Sequence, residues 1–148
     1  MKMTSIAAAG IALALALFPA HQALADGVGL VKVSKGSVHI ERAGKRLAAP
    51  VGTIIESADR IVTGRDGSAG ITFLDNSRLA LGPGSTLAID RFNFDQTTHE
   101  GNFDTTLRRG TLSAVSGKLA KHSPKAMTVR TRSTILAVRG TEFVVRTR

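Results

Sequence analysis

The chain contains no cysteine, no tryptophan and no tyrosine. Without cysteine it forms no disulfide and offers no thiol for lipid attachment, so its core alone must hold it together. Without tryptophan or tyrosine it has little aromatic surface for stacking on sugars or bases. Of the six phenylalanines, the five after Phe18 must serve a core otherwise built from Val, Ile, Leu and Ala. There is no G-x-S-x-G elbow and no phosphate-cradling G-x-x-x-x-G-K, so the signatures of two large enzyme classes are missing. His39, His99 and His122 each stand alone, with no pair at metal-ligand spacing. His39, between Val38 and Ile40, is expected to face away from their core as an exposed side chain. Several acids sit in turns, where a carboxylate caps the backbone. Calcium-binding β-rolls also place Asp there, but their glycine-rich nonapeptide is absent. No cofactor, no metal and no catalytic residue is expected, and the protein reads as a non-enzyme; a carboxylate pair assembled only by the fold is the remaining enzymatic alternative.

Acidic residues are also scarce in one region. Residues 26–105 hold nine basic and ten acidic side chains, whereas residues 106–148 hold ten basic ones and Glu142 as the single acid. The excess positive charge therefore lies in the last 43 residues, and such a field favours an acidic partner or surface. The candidates for that surface are Arg108, Arg109, Lys118, Lys121, Lys125, Arg130 and Arg132. The bland alternative is that these charges solubilise strand edges and keep them from pairing. Nucleic acid is disfavoured as a partner: there is no basic helix and no aromatic RNA-binding motif, and the chain opens on an export signal.

That signal is the first apolar feature. Lys2 gives a positive start, Ile6 to Phe18 is almost wholly apolar, Pro19 breaks the run, and Ala23-Leu24-Ala25 suits a signal peptidase. Residues 1–25 therefore read as a cleaved secretory signal peptide, with an uncleaved anchor as the competing reading. The run is shorter than the roughly 20 residues that span a bilayer. No second run of that length follows, so the processed protein is expected to be soluble, in the periplasm or secreted. Residues 26–148 are expected to form one domain. Removing Lys2 with the leader leaves 19 of the 20 basic residues against 11 acids, a net charge of +8.

From Gly64 to Asp90 the chain nearly repeats one phrase three times. Gly67-Ser68, Asn76-Ser77 and Gly84-Ser85 each lead into an alternating run, with Ile71/Phe73, Leu79/Leu81 and Leu87/Ile89 two residues apart. Alternation puts these side chains on one face of a strand, and the small polar residues supply turns. Val28–Val33, Val38–Glu41, Leu47–Ile55, Asp59–Thr63, Phe103–Leu107, Thr111–Val115, Met127–Arg132 and Phe143–Val145 extend the pattern, with Arg108-Arg109-Gly110 as a turn. Residues 95–102 and 117–125 read as exposed loops. Short strands with frequent turn signals predict an all-β fold of short antiparallel strands, either a twisted two-sheet roll or a β-solenoid-like stack.

Two blocks carry a family resemblance. One runs through Val51-Gly52-Thr53, Asp59-Arg60-Ile61-Val62-Thr63-Gly64, Gly67-Ser68-Ala69 and Phe73-Leu74-Asp75-Asn76-Ser77 to Leu81, Ser85 and Leu87. The other is Thr128-Val129-Arg130-Thr131 followed by Ala137-Val138-Arg139-Gly140-Thr141-Glu142-Phe143. Together they resemble the FecR domain over residues 51–145. The resemblance implies structural roles for Gly52, Asp59, Thr63, Gly64, Gly67, Asp75, Ser77, Arg139, Gly140, Thr141 and Phe143. Gly140 would allow a bend before the last strand, and Thr141 would tie the corner by hydrogen bonding. It also implies a periplasmic all-β module. In the best-known members that module belongs to a membrane-spanning regulator, which takes a signal from an outer-membrane iron–siderophore transporter and controls a cytoplasmic sigma factor. This chain departs from that plan: it shows a signal peptide in place of a sigma-binding segment and an internal membrane helix. The expectation is thus a free-standing binding or sensing module acting through protein–protein contact, with an envelope protein as partner. A module that binds acidic glycan or cell-wall polymer is the alternative.

Overall fold

The structure, a computed structural model, describes residues 27–139 and 142–148; the expected signal peptide and the Gly140-Thr141 pair lie outside the described residues. In chain order the elements are β1 (Gly27–Lys35), β2 (Val38–Arg42), β3 (Lys45–Ala48), β4 (Ile54–Glu56), β5 (Arg60–Thr63), β6 (Ser68–Phe73) and β7 (Arg78–Leu81). They continue as β8 (Thr86–Phe94), β9 (Gly101–Val115), α1 (Lys118–His122), β10 (Met127–Arg130), β11 (Ile135–Ala137) and β12 (Glu142–Thr147). The expected all-β class is observed. The described strands form one 12-stranded sheet curled into a half-barrel, so its two halves face each other.

The first half runs β4-β1-β6-β7-β9-β12 and the second β3-β2-β5-β8-β9-β10-β11. All described pairings are antiparallel except that of β10 with β9. The small-residue turns explain how the chain builds both halves at once. At Gly36-Ser37, at residues 64–67 and at residues 82–85 it leaves one half and enters the other. The first two repeated phrases, β6 and β7, pair as a hairpin, but the third opens β8 in the opposite half. Of the two arrangements left open by the sequence, the pairing is that of a roll.

Three local expectations are corrected. The first concerns Arg108-Arg109-Gly110, expected as a turn between two strands. These residues lie inside β9, which passes unbroken from the second half into the first. Gly110 sits at φ +95 and a Cβ there would collide with Ser85. The strand therefore bends where glycine alone fits, instead of reversing. A bulge lies beside it, since Thr86 pairs with Arg109 but Leu87 with Leu107. Arg108 is the extra residue, which is why Arg108 and Arg109 are both exposed in an otherwise alternating strand.

The second concerns Leu47–Ile55, which is not one arm. It divides at Pro50–Thr53 into β3 and β4, in opposite halves. Pro50 has no N–H for a ladder, and Gly52 stands at φ +94 with its N–H bonded to Val31 O. The third concerns residues 117–125, which are not simply an exposed loop. They contain α1, whose Leu119 and Ala120 are buried while Lys118, Lys121 and Lys125 stay exposed. Leu119 approaches Gly101 at the start of β9, so α1 covers one end of the half-barrel.

The core lies between the halves. Ile71, Phe73, Leu79 and Leu112 come from the first, and Ile61, Leu87, Ile89, Phe103 and Leu107 from the second. Phe73, Phe92 and Phe103 form an aromatic cluster across the gap, with centroids 4.6 to 5.6 Å apart. Each fully buried large apolar side chain contributes about 1.5–3 kcal/mol.

Candidate functional site

The family-motif residues are best understood by what each holds. Asp59 is fully buried at the turn from β4 to β5. Arg42 donates to it through Nε (2.8 Å) and Nη2 (2.7 Å), and the Glu56 backbone N–H donates at 2.8 Å. Arg42 also reaches Glu56 Oε1 at 2.7 Å and Ile54 O at 3.0 Å. The hydrogen bond to Asp59 raises the Arg42 guanidinium above its ordinary range, against a smaller opposing effect of burial. One arginine on β2, in the second half, thus ties down the start of β5 and the end of β4, in the first half.

At the other end, Thr63, Gly64, Gly67 and Ser85 form a second knot. Thr63 Oγ1 donates to Gly82 O at 2.7 Å and accepts from Ser85 N at 2.9 Å. Gly64 N–H donates to Ser37 O, Gly84 N–H to Gly64 O, and Gly67 N–H to Gly64 O. Ser85 Oγ donates to Gly82 O and accepts from Thr111 N just past the β9 bend. A third knot holds the β6–β7 hairpin. Asp75 accepts from Ser77 N (3.0 Å) and Ser77 Oγ (2.7 Å), and Ser77 Oγ accepts from Gly117 N. Asp75 and Ser77 are fully buried, and Lys118 N–H donates to Asp75 O, which anchors the start of α1. Asn76 takes φ +66, as a turn with Asn in this position requires. Arg139 is exposed and Phe143 half-buried against the core edge.

Arg42 escaped the sequence reading. Its partner is 17 residues away, and no local spacing signals the pair. His39 differs from expectation: it lies on the outer face between Ala48 and Val62, but its side chain is only 12% exposed, with Nε2 3.8 Å from Glu41 Oε1. His99 stacks on Phe94, centroids 6.0 Å apart, in the loop from β8 to β9. Among the described residues no group of three or more His, Cys, Asp or Glu could hold a metal.

The seven basic candidates are all exposed, but they form two groups. The β10–β9 register places Arg130 opposite Thr106, two residues before Arg108 on the same outward series. Arg109 follows, and Arg132 continues from β10 towards the same end. Lys118, Lys121 and Lys125 sit instead on and after α1, at the end that the helix covers. Beside the arginine group, the outer face of the second half carries a groove of about 670 Å³. Glu41, Arg46, Arg60, Asp90 and Arg108 line it, with Arg60 paired to Glu41 at 2.9 Å and Asp90 accepting from Thr106.

No helix among the described residues is long and apolar enough to cross a membrane. No curated protein matches the chain, and no solved structure does. One family matches, described as FecR protein, over residues 59–148. That span holds the knots at Asp59, Thr63 and Asp75 and all seven basic candidates; Gly52 falls before it. With more than half of its length matched, this chain belongs to the FecR family, a family of signalling and regulatory modules.

Proposed function

We propose that the protein is a non-enzymatic binding module of the periplasm or the secreted fraction, acting through protein–protein contact in envelope signalling. Its arginine-bearing end would steer and hold an acidic protein face. The observation that carries this reading is the convergence of Arg108, Arg109 and Arg130 on one end of the second half, with Arg132 just beyond. A bulge and a bend in β9 turn two of these side chains outward together. Family membership supports a regulatory rather than a metabolic role. The non-enzymatic reading is supported by the use of the acids as ties: Asp59, Asp75, Asp90, Asp95 and Asp104 each hold a named donor.

The test is photocrosslinking in cells from a reactive residue at Arg130, with identification of the captured protein. An envelope receptor or regulator with an acidic face is the expected product. Replacing Arg108, Arg109, Arg130 and Arg132 by Gln should then weaken binding to it and flatten its salt dependence. The same change at Lys118, Lys121 and Lys125 should leave both nearly unchanged. Salt dependence unaltered by the arginine replacements would overturn the steering role. The groove lined by Arg46, Arg60 and Arg108 supports a second reading, binding of acidic glycan or wall polymer. Capture of polymer in place of protein would favour it.

A further inference from the structure

We infer that two copies of this chain pair through β12, edge to edge and antiparallel, about a two-fold axis at Val144. The inference stands apart from the arginine-bearing end and does not depend on it.

Among the described residues β12 is the outermost strand of the first half and pairs on one side with β9 alone. The other outermost strands are poor templates. β4 and β11 have three residues each, and β3 has four, two of them Lys45 and Arg46. Short length and Lys-rich composition are ways of blunting an edge. β12 has six residues and neither proline nor lysine. Its Phe143 and Val145 face the core side, while Glu142, Val144 and Arg146 face outward. Val144 is 65% exposed at the centre of this row. An edge of this length, without proline or lysine and with an exposed Val, is what an added strand takes up.

The sequence of β12 selects the added strand. In an antiparallel pair centred on Val144, Val144 meets Val144 of the second copy. Glu142 then stands opposite Arg146 of the second copy, and Arg146 opposite its Glu142. Phe143 stands opposite Val145 on the core side, and the reverse. Both charge pairs are opposite in sign, and both inner pairs are apolar, a combination that stabilises neighbouring strands. Other pairings lose this. A parallel pair in register places Glu142 on Glu142 and Arg146 on Arg146. A slip of one residue sets Phe143 of one copy opposite Val144 or Arg146 of the other, so inward-facing positions meet outward-facing ones and both kinds of pair are lost. The interface is isologous, as a two-fold dimer requires.

The experiment is sedimentation equilibrium of the purified protein over a range of concentrations, with far-UV circular dichroism of every variant to show an unchanged fold. The expected result is a monomer–dimer equilibrium. Glu142→Arg and Arg146→Glu should each weaken the dimer about ten-fold, since each turns two attractive cross-strand pairs repulsive. The double exchange Glu142→Arg with Arg146→Glu should restore it, because the two-fold again sets opposite charges together. The chain has no cysteine, so Val144→Cys supplies an independent reading. Oxidation should give a disulfide-linked dimer, whereas Leu74→Cys, exposed on the β6–β7 turn, should not. A monomer at every concentration, a dimer indifferent to the single charge reversals, or Val144→Cys no more crosslinked than Leu74→Cys would each overturn the inference.

Discussion

Single residues in this protein act chiefly as ties between distant turns, and Arg42 is the clearest case. Its guanidinium is 30% exposed, while the Asp59 carboxylate that it holds is fully buried. Removing the arginine would strand that carboxylate with one backbone donor from Glu56. We expect Arg42→Ala to lower stability by about 3 kcal/mol, the scale of an uncompensated buried charge. The pair Arg42→Met with Asp59→Leu should lose much less, since neither charge then remains. Chemical denaturation of Arg42→Met, of Asp59→Leu and of the double variant measures the coupling. Asp95 offers a test by pH. Its carboxylate accepts from the backbone N–H groups of Thr98 and Thr97, which lowers its pKa below the ordinary 3.8. A group lowered in the folded state favours folding in its charged form. The contribution is full above the ordinary value and disappears as pH falls through the lowered one. The Thr97 and Thr98 amide resonances should therefore titrate at a pH below 3.8; titration above that value would contradict the turn.

At the scale of elements, β9 decides the architecture. Among the described strands it is the longest and the single one shared by both halves. Its alternation was readable as two strands, Phe103–Leu107 and Thr111–Val115, with the right faces inward. The continuity between them was not. Arg108-Arg109-Gly110 has the composition of a turn, and only the packing of Ser85 against Gly110 shows that the chain bends there without reversing. We expect Gly110→Ala to cost about 3 kcal/mol or more, because strain at positive φ adds to a collision with Ser85. Gly84→Ala is the control. Gly84 also has positive φ but has open space, the nearest contact being Arg109 Nη2 at 3.9 Å. It should cost about 1 kcal/mol. Urea unfolding of the two variants separates collision from backbone strain. The helix α1 was illegible for another reason. Five residues make little more than one turn, too short for a 3.6-residue pattern, and Leu119 and Ala120 are too few to mark a buried face.

At the scale of the whole molecule, charge follows chain order only in part. The last third carries the positive excess, but the fold divides it. Arg108, Arg109, Arg130 and Arg132 go to one end of the second half, and the lysines around α1 go to the other. This division is why the salt dependence of partner binding should respond to the arginines and not to the lysines. The same fold leaves β12 at the margin of the first half, with Thr147 paired to Gly110, so the edge offered to a second copy begins next to the arginine-bearing end.

Alternation and turn chemistry were enough to specify an all-β chain and the inward faces of most strands, while the family resemblance rested on two particular motif blocks. Those properties are local: they depend on residues two apart and on backbone preferences at Gly, Asn, Asp and Ser. Which strand lies beside which is not local. The third repeated phrase leaves its two predecessors for the opposite half, Arg42 finds Asp59, and Arg130 comes level with the β9 arginines through a parallel pairing. These contacts arise because burying apolar faces from both halves against each other selects one global pairing, and no short stretch of sequence carries that choice.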